Sequence, residues 1–371
     1  MRSVRFNALP VSDAGFLSGV CSLSVILLPL LQQTVSPHVL RYSETNIKDS
    51  ATPAAVYRLA LEYDGQKTGP ATLILKRIHA RWPDDPGFPD REIYFYACVL
   101  PHLDIPHAHL YYTGIDPETQ DRLIFMEDLS GYHFPPPTRP WTQAEGECIA
   151  RAYARLHTMG EKYMRTLDKV SPFGNPPDLD WLLPRHESRL EPEKSQHMVC
   201  DLVQQKVWEP IPGLDALLTR TVDAAQTYTQ LPVTLLHNDV YPPNVALPPN
   251  LKDDAILLDW EMASYGLPEM DLGFMFLQPH RAHRYLDKAR VLDVYWAARH
   301  ALEGEIPSCE ERKIRQFYAD AVWGFWLVPV AHKMAAHPFP PGSTVAVYWE
   351  SMFGVLFEHL QRLSRDVLFS V

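Results

Sequence analysis

The spacing of apolar residues changes once along this chain of 371 residues, and that change limits the folds it can adopt. Up to about residue 126, short apolar runs separated by polar turns predict β-strands. After Trp141, apolar residues recur at intervals of three and four, which predicts helices. Because a chain of this length exceeds what one compact core usually holds, we expect two lobes of an α+β protein, the first ending near Met126.

The first lobe is predicted to hold five strands and one main helix. A polar turn at 64–69 joins the second strand to the third, as in a β-hairpin. The acidic sequence Asp90-Arg91-Glu92 is typical of the first turn of a helix. The predicted strands cover 35–42, 54–63, 71–78, 109–114 and 122–126. Helices of the second lobe are predicted at 143–159, 192–208, 214–230, 284–302, 308–333 and 346–368.

The uncharged, Leu-rich segment from Phe16 to Leu31 allows two interpretations. Apolar residues at helical spacing predict a packed N-terminal helix. Arg2 and Arg5 precede the segment, and a basic start followed by an apolar run is also typical of a secretory signal. Pro29 interrupts the run and no A-x-A-like cleavage site follows, so we favour the packed helix. The segment is short for a membrane span, and we expect no stable membrane insertion.

The charge balance and the cysteine spacing exclude several classes of function. A net charge of −11 argues against the basic face that binds nucleic acid. The five cysteines are odd in number and include no C-x-x-C pair, which fits neither a disulfide framework nor a zinc site. We therefore expect a cytoplasmic protein without a nucleic-acid partner. The sequence does not indicate an oligomeric state.

One loop in the second lobe carries residues suited to phosphoryl transfer. Asp239 can accept the proton of a substrate hydroxyl, and the amide oxygen of Asn244 can bind Mg²⁺. Further along, Asp259 directly follows an apolar run and can bind the metal ions that bridge nucleotide phosphates. His237 is expected to brace the loop rather than to react. An Asp-Pro-Asn loop is also ordinary turn chemistry, so the prediction depends on the order and spacing of the whole set.

Two residues of the first lobe are suited to holding nucleotide phosphates. Lys76 ends an apolar strand and can contact phosphate oxygens, and Glu92 in the next helix can fix that lysine. A lysine at a strand end and a glutamate at a helix start are common surface features on their own. Their interpretation therefore depends on the loop of the second lobe.

These motifs resemble the signature of the aminoglycoside phosphotransferase and choline kinase-like superfamily, also called the phosphotransferase enzyme family. The matching segments are HxDxxxxN at 237–244, LDWE at 258–261, GLPEMDL at 266–272, ARLH at 154–157 and MEDL at 126–129.

The resemblance implies a bilobal, protein-kinase-like fold and transfer of phosphate from ATP, with Mg²⁺, to the hydroxyl of a small molecule. It implies an N-lobe at 1–126, an interlobe hinge at 127–131 and a helical C-lobe at 132–371. The implied roles are catalytic base for Asp239, metal ligands for Asn244 and Asp259, phosphate binding for Lys76 with Glu92, adenine binding at the backbone of Glu127, Asp128 and Leu129, and a structural anchor for Asp271.

Two departures from the family pattern affect these expectations. Asn238 stands where the family commonly has glycine, and asparagine also tolerates unusual backbone angles. The predicted connection at 43–55 contains no glycine, so phosphate contacts there would come from backbone amides or from Ser43, Thr45, Ser50 and Thr52. The missing glycine-rich loop leaves open an alternative function, an ATP-binding pseudokinase or scaffold.

The acceptor pocket is expected among five residues, which are Glu261, Tyr265, Asp320, Trp323 and Trp326. Two tryptophans three residues apart can form a cage for a cationic ligand, but this spacing is more typical of a helix core. The acceptor is expected to be an amino alcohol, an aminoglycoside-like or macrolide-like alcohol, or a sterol-like alcohol. The choice among these, and between ATP and GTP, is open.

Overall fold

The chain folds into two units that differ in secondary structure. The computed structural model describes residues 23–48, 54–65, 69–80, 88–136, 139–167, 192–228, 231, 233–277, 286–336 and 344–369. Of these, the residues up to Ala97 and Ala108–Ser130 form the first unit, and Cys98–His107 and the residues from Gly131 onward form the second. The lobe boundaries predicted at residues 126 and 131 stay predictions.

An antiparallel sheet of five strands forms the body of the first unit, as predicted. The strands are β1 (Val39–Lys48), β2 (Ala54–Tyr63), β3 (Thr72–Ile78), β4 (Leu110–Ile115) and β5 (Arg122–Glu127). They lie in the order β1-β2-β3-β5-β4. β2 and β3 form the predicted hairpin, in which Ala54 lies opposite Ile78. β5 lies between β3 and β4 and buries Leu123 and Phe125.

The first strand lies further along the chain than predicted. The expected strand covered 35–42, whereas β1 extends to Lys48 and includes Ser43 and Thr45, two residues expected in a phosphate-binding connection. Most side chains of β1 are exposed, so this edge strand lacks the apolar alternation that identifies a half-buried strand. Backbone pairing with β2 forms the strand instead.

A helix at the start of the described chain packs against this sheet. α1 runs from Leu23 to Thr34, and the predicted first residues of this helix, 16–22, lie outside the described residues. Leu27 and Leu31 are buried in a core shared with β1, β2, β3 and β5. Pro29 lies inside α1 without ending it, because this packing offsets the backbone hydrogen bond that proline removes. The packed-helix interpretation is thus confirmed for the described part.

The main helix of the first unit begins as predicted with an acidic first turn. α2 (Phe88–Tyr94) continues into one π-helical turn at Phe95–Val99. Asp90 accepts a hydrogen bond from Arg122 Nε at 2.6 Å, which ties α2 to β5. Among the helices that the structure describes, none combines the length and the apolar content needed to cross a membrane. The predicted cytoplasmic location stays a prediction.

The second unit is mostly helical, as predicted. Its helices are α3 (Gln143–Leu167), α4 (Pro192–Gln204), α5 (Leu214–Tyr228), α6 (Glu269–Leu277), α7 (Lys288–Glu303), α8 (Cys309–Ala336) and α9 (Thr344–Phe369). Four short strands interrupt them, β6 (Thr234–Leu236), β7 (Val245–Ala246), β8 (Ile256–Leu257) and β9 (Ser264–Gly266). β6 pairs with β9, and β7 pairs with β8.

One apolar core joins α4, α5, α6, α8 and α9. Trp323 of α8 is completely buried there, and its indole N–H donates to the carbonyl of Met270 at 2.7 Å. β6 packs against α3 at Gly160, where a Cβ atom would lie 2.9 Å from the backbone nitrogen of Leu235. A glycine is therefore required for this close approach.

The sequence patterns did not predict α6. This helix has nine residues, and all of them except Phe274 are buried. A short helix that is covered on every side shows no amphipathic period, so its sequence cannot be told from another apolar run.

A polar cluster lies within the helices of the second unit. The carboxylate of Asp320 on α8 accepts hydrogen bonds from Lys288 Nζ on α7 and from Gln316 Nε2. Its backbone carbonyl accepts a hydrogen bond from Nε2 of His359 on α9 at 2.8 Å, and Nδ1 of His359 lies 3.3 Å from Arg362. Burial lowers the pKa of His359 to about 4, although Asp320 acts in the opposite direction. His359 is therefore neutral at pH 7.

Replacing Leu31 by alanine is expected to destabilise the protein by about 2–5 kcal/mol, because the change leaves a cavity between α1 and the sheet. Urea denaturation measures the free energy of unfolding. The matched control is Leu40→Ala, since Leu40 is 58% exposed and its loss should change stability by roughly 0.5 kcal/mol or less. Equal effects of the two substitutions would contradict the docking of α1.

The unfolding free energy is expected to fall as the pH drops from 7 to 5. His359 takes up a proton near its ordinary pKa of about 6.5 when unfolded but only near 4 when folded. Acid therefore favours the unfolded state, by roughly 2 kcal/mol between these pH values for this one group. Urea denaturation of His359→Gln should show a shallower pH dependence by that amount. The exposed His300 provides the control, and His300→Gln should keep the wild-type dependence.

Candidate active site

Two strand pairs hold both ends of the loop that carries the predicted catalytic residue. β6 ends at Leu236 and pairs with β9, so His237 begins the loop where the backbone is already fixed. β7 begins at Val245, directly after Asn244, and pairs with β8. The loop from His237 to Asn244, called the catalytic loop below, is therefore short and restrained at both ends.

A buried carboxylate holds the first residues of the catalytic loop. Asp271 on α6 is completely buried, and its two oxygens accept hydrogen bonds from two consecutive backbone N–H groups. The N–H of His237 lies 2.9 Å from Oδ2, and the N–H of Asn238 lies 2.6 Å from Oδ1. The Nε2 atom of His157 on α3 contacts Oδ2 at 3.0 Å. Three hydrogen bonds thus stabilise the buried charge, and Asp271 has the contacts expected of an anchor.

His237 is part of the loop's internal structure. It is completely buried, and its Nε2 donates to the carbonyl of Leu258 at 2.8 Å while Nδ1 accepts the N–H of Asp239 at 3.2 Å. Burial lowers the pKa of His237, so the ring is neutral with its proton on Nε2. Its ring also packs edge-on against Trp260. This geometry agrees with the predicted bracing role.

Asn238 adopts a backbone conformation that explains how it replaces glycine. Its φ angle is 60°, in the left-handed region that asparagine tolerates better than most residues. Its side chain donates to the carbonyl of Met262 at 3.0 Å and to the hydroxyl of Ser264 at 2.6 Å. The asparagine therefore supplies the turn and also ties the loop to the segment around β9.

The structure brings Asp239 and Asn244 into direct contact. Nδ2 of Asn244 donates to the carboxylate of Asp239 at 2.7 Å and to its backbone carbonyl at 3.1 Å. Asp239 is only partly buried, so its carboxylate can be reached from solvent. Because Nδ2 is engaged by Asp239, the amide oxygen is the atom that Asn244 can offer to a cation.

The chain next to Asp259 is hydrogen-bonded to Asn244. The N–H of Leu258 donates to the backbone carbonyl of Asn244 at 2.9 Å, in line with the β7–β8 pair. Asp259 itself has a φ of 68°, an unusual conformation for a residue with a Cβ atom. Its carboxylate and that of Glu261 approach within 4.8 Å. Oxygen donors arranged in this way suit a hard divalent cation.

Lys76 and Glu92 form the predicted pair in the first unit. Lys76 Nζ lies 2.6 Å from Glu92 Oε2, and both side chains are buried. A buried ion pair contributes little net stability, because removing both charges from water costs about as much as their attraction returns. The pair therefore fixes the position of the Lys76 ammonium more than it stabilises the fold.

The predicted adenine-binding segment lies at the end of β5. The carboxylate of Asp128 accepts hydrogen bonds from Arg58 Nε at 2.8 Å and from the N–H of Ser130 at 3.0 Å. Leu129 is buried, and the exposed Glu127 accepts the N–H of His109 at 3.1 Å. The Asp128 side chain thus fixes the shape of this segment, as a site that binds through its backbone requires.

Ser50 and Thr52, two of the predicted phosphate contacts, lie outside the described residues.

The ligand-cage interpretation of the α8 tryptophans is wrong for Trp323, which belongs to the core. Trp326 packs edge-on against it, with ring centroids 5.1 Å apart. Asp320 is 3% exposed and already paired with Lys288. The i, i+3 spacing therefore reflects helix packing, the more typical of the two interpretations.

Two residues near Asp271 belong to no motif that the sequence analysis identified. Tyr295 and Arg299 on α7 lie one helical turn apart in a segment predicted only as a helix. The structure places the hydroxyl of Tyr295 2.9 Å from Nδ1 of His157. Only the packing of α7 against α3 reveals this contact, because no motif contains either residue.

Comparison with known proteins identifies the family. The family model described as the phosphotransferase enzyme family matches residues 56–310, well over half of the chain. No curated protein matches the sequence.

Solved structures share the fold at low sequence identity. A proposed aminoglycoside phosphotransferase from Ralstonia eutropha JMP134 has a TM-score of 0.59 at 17% identity, covering 92% of this chain and 98% of that chain. Aminoglycoside 2'-phosphotransferase-IIIa, in its GDP complex, has a TM-score of 0.53 at 12% identity, covering 92% and 99%. Macrolide 2'-phosphotransferase from Brachybacterium faecium has a TM-score of 0.51 at 15% identity, covering 90% and 97%.

These similarities confirm the predicted α+β, protein-kinase-like fold. With the family match over residues 56–310, they lead to one conclusion: the chain belongs to the phosphotransferase enzyme family.

Proposed function

We propose that this protein transfers the γ-phosphoryl group of ATP to the hydroxyl of a small molecule in a reaction that uses Mg²⁺. The observation that carries the proposal is the contact between Asp239 and Asn244 on the anchored catalytic loop. It combines an accessible carboxylate with an amide oxygen on one rigid segment, which phosphoryl transfer requires of a base and a metal ligand.

Asp239 is the proposed general base. As the acceptor oxygen forms its bond to the γ-phosphorus, its proton passes to the carboxylate, and the bond from the γ-phosphorus to the bridging oxygen breaks to release ADP. Asn244 donates to one oxygen of this carboxylate and holds it in a single orientation. The products are the phosphorylated alcohol and ADP.

Asn244 and Asp259 are the proposed metal ligands. Both supply oxygen atoms, and the hydrogen bond from Leu258 to the Asn244 carbonyl keeps their backbones adjacent. Mg²⁺ prefers carboxylate and carbonyl oxygens, and when bound it neutralises charge on the nucleotide phosphates. The left-handed conformation of Asp259 supports a functional role, because strained residues of this kind concentrate at functional sites.

The nucleotide is proposed to bind through residues of the first unit. Lys76, oriented by Glu92, would donate charge-assisted hydrogen bonds to phosphate oxygens. The backbone of Glu127, Asp128 and Leu129 would bind the adenine base, with Asp128 held by Arg58. ATP is proposed as the donor, and GTP is the alternative because one structural neighbour was solved with GDP.

The acceptor is proposed to be a small alcohol of the kinds that the neighbours' names indicate. Those names include a macrolide 2'-phosphotransferase and an aminoglycoside 2'-phosphotransferase. A screen of nucleotide consumption over amino alcohols, aminoglycosides, macrolides and sterols would identify it. Nucleotide binding without transfer to any acceptor would favour the alternative function, a pseudokinase or scaffold. A cytoplasmic location remains part of the proposal.

Replacing Asp239 by asparagine is expected to lower kcat by about 10²- to 10⁴-fold, because the general base is lost while the side-chain volume is kept. Steady-state kinetics with the acceptor found in the screen measures this, and calorimetry should show that ATP still binds. Asp293→Asn is the matched control, since this residue is exposed on α7 and should have no effect. Unchanged turnover of Asp239→Asn would refute its role as the base.

Removing the Lys76 ammonium is expected to weaken nucleotide binding about tenfold or more, as one charge-assisted hydrogen bond contributes about 1.5–3 kcal/mol. Lys76→Met alone would take from the buried Glu92 carboxylate its lysine partner, so the double variant with Glu92→Gln is the better test. Calorimetric titration with ADP gives the dissociation constant. Lys252→Met, at an exposed position, should bind like the wild type. Wild-type affinity of the double variant would rule out phosphate binding by Lys76.

A further inference from the structure

A continuous chain of buried hydrogen bonds connects α7 to the catalytic loop. Arg299 Nη1 lies 3.4 Å from the Tyr295 hydroxyl, which lies 2.9 Å from His157 Nδ1. His157 Nε2 lies 3.0 Å from Asp271, which accepts the N–H groups of the loop. His157, Tyr295 and Asp271 are completely buried, and Arg299 is 4% exposed. Solvent therefore does not compete for these contacts.

The direction of each hydrogen bond follows from the chemistry of the groups. The guanidinium of Arg299 can only donate, so the Tyr295 oxygen accepts from it. The Tyr295 hydroxyl proton is then directed at Nδ1 of His157, which accepts. The remaining ring proton lies on Nε2 and is donated to the Asp271 carboxylate. Burial lowers the pKa of His157, which agrees with a neutral ring in this tautomer.

Two acidic residues hold Arg299, which lies at the end of the hydrogen-bond chain away from the catalytic loop. Arg299 donates to Glu161 of α3 at 2.8 Å and to Glu303 of α7. Its guanidinium is therefore fixed from the side that faces away from Tyr295. Because donors and acceptors alternate from a buried cation to a buried anion, each bond polarises the next one in the same sense.

We propose that Tyr295 is a positioning residue of the active site, whose hydroxyl holds the ring of His157 in the orientation that lets Nε2 donate to Asp271, the anchor of the catalytic loop. The Asp271 carboxylate only accepts and therefore keeps the ring proton on Nε2, which leaves Nδ1 as a buried acceptor that needs a donor. Without the Tyr295 hydroxyl, Nδ1 loses this donor, the ring can leave its position, and its hydrogen bond to Asp271 weakens. The inference rests on the proposed function only where it concerns catalysis.

Tyr153 provides a matched comparison on the same histidine. Its ring stacks on His157 with centroids 5.3 Å apart and an interplanar angle of 12°. It is completely buried like Tyr295, but within the described chain its hydroxyl has no hydrogen-bond partner. Tyr153→Phe and Tyr295→Phe therefore remove the same atom from equally buried tyrosines beside His157. Only Tyr295→Phe interrupts the series of hydrogen bonds from Arg299 to Asp271.

The test measures amide hydrogen exchange at His237 and Asn238 by nuclear magnetic resonance, which needs no substrate. Tyr295→Phe is expected to accelerate this exchange roughly tenfold relative to Tyr153→Phe, the effect of weakening about one hydrogen bond of the anchor. The nitrogen shifts of His157 should indicate the Nε2–H tautomer in all three proteins, because Asp271 only accepts, and the shift of Nδ1 should change only in Tyr295→Phe, where the hydrogen bond from the tyrosine hydroxyl is lost. Urea denaturation of both variants separates a local effect from a loss of global stability.

The kinetic arm separates positioning from folding. Tyr295→Phe should lower kcat about tenfold more than Tyr153→Phe does, with the nucleotide KM unchanged. Equal exchange rates in the two variants, a change explained by global stability alone, or an unchanged kcat would each overturn the proposal. If the wild type phosphorylates no acceptor, the proposed function fails, while the exchange and nitrogen-shift measurements still decide whether Tyr295 holds the loop.

Discussion

The buried carboxylate of Asp271 is the constraint on which the second unit's site depends. A carboxylate without water must have hydrogen-bond donors, and here they are two loop amides and one histidine. Satisfying this charge fixes the positions of His237 and Asn238. Asp239 and Asn244 then follow on a segment whose ends are already paired in strands. The geometry of Asp239, the proposed base, is thus a consequence of the solvation requirement of Asp271 on another element.

Charged side chains of the first unit are likewise held by specific partners. Lys76 and Glu92 form a buried ion pair, and Arg58 holds Asp128 at the end of β5. Such contacts contribute little to the free energy of unfolding, but they fix the positions of the side chains. They orient the groups proposed to bind phosphate and adenine. α1 contributes differently, since Leu27 and Leu31 stabilise the sheet by apolar burial alone.

The accuracy of each predicted element depended on whether its sequence distinguishes a buried face from an exposed face. The strand β2 was predicted to the residue because its second half alternates between buried and exposed residues and a polar turn follows it. The exposed β1 and the fully covered α6 were not, because neither shows a contrast between its faces. The role of Trp323 was ambiguous for a similar reason: an aromatic residue on a helix looks the same whether it faces a core or a ligand. Burial alone decided that question.

The sequence by itself determined the family, most of the strands and helices, and the residue types of the candidate site, since Asp239, Asn244 and Asp259 have a spacing that ordinary turns do not explain together. Tertiary structure alone decided which groups touch. The pairing of Asp320 with Lys288, which excludes it as an acceptor contact, and the hydrogen bond from Tyr295 to His157 both arise from packing between distant segments. Their physical basis is burial, which turns a hydroxyl or carboxylate with no motif around it into a group that must find a specific partner.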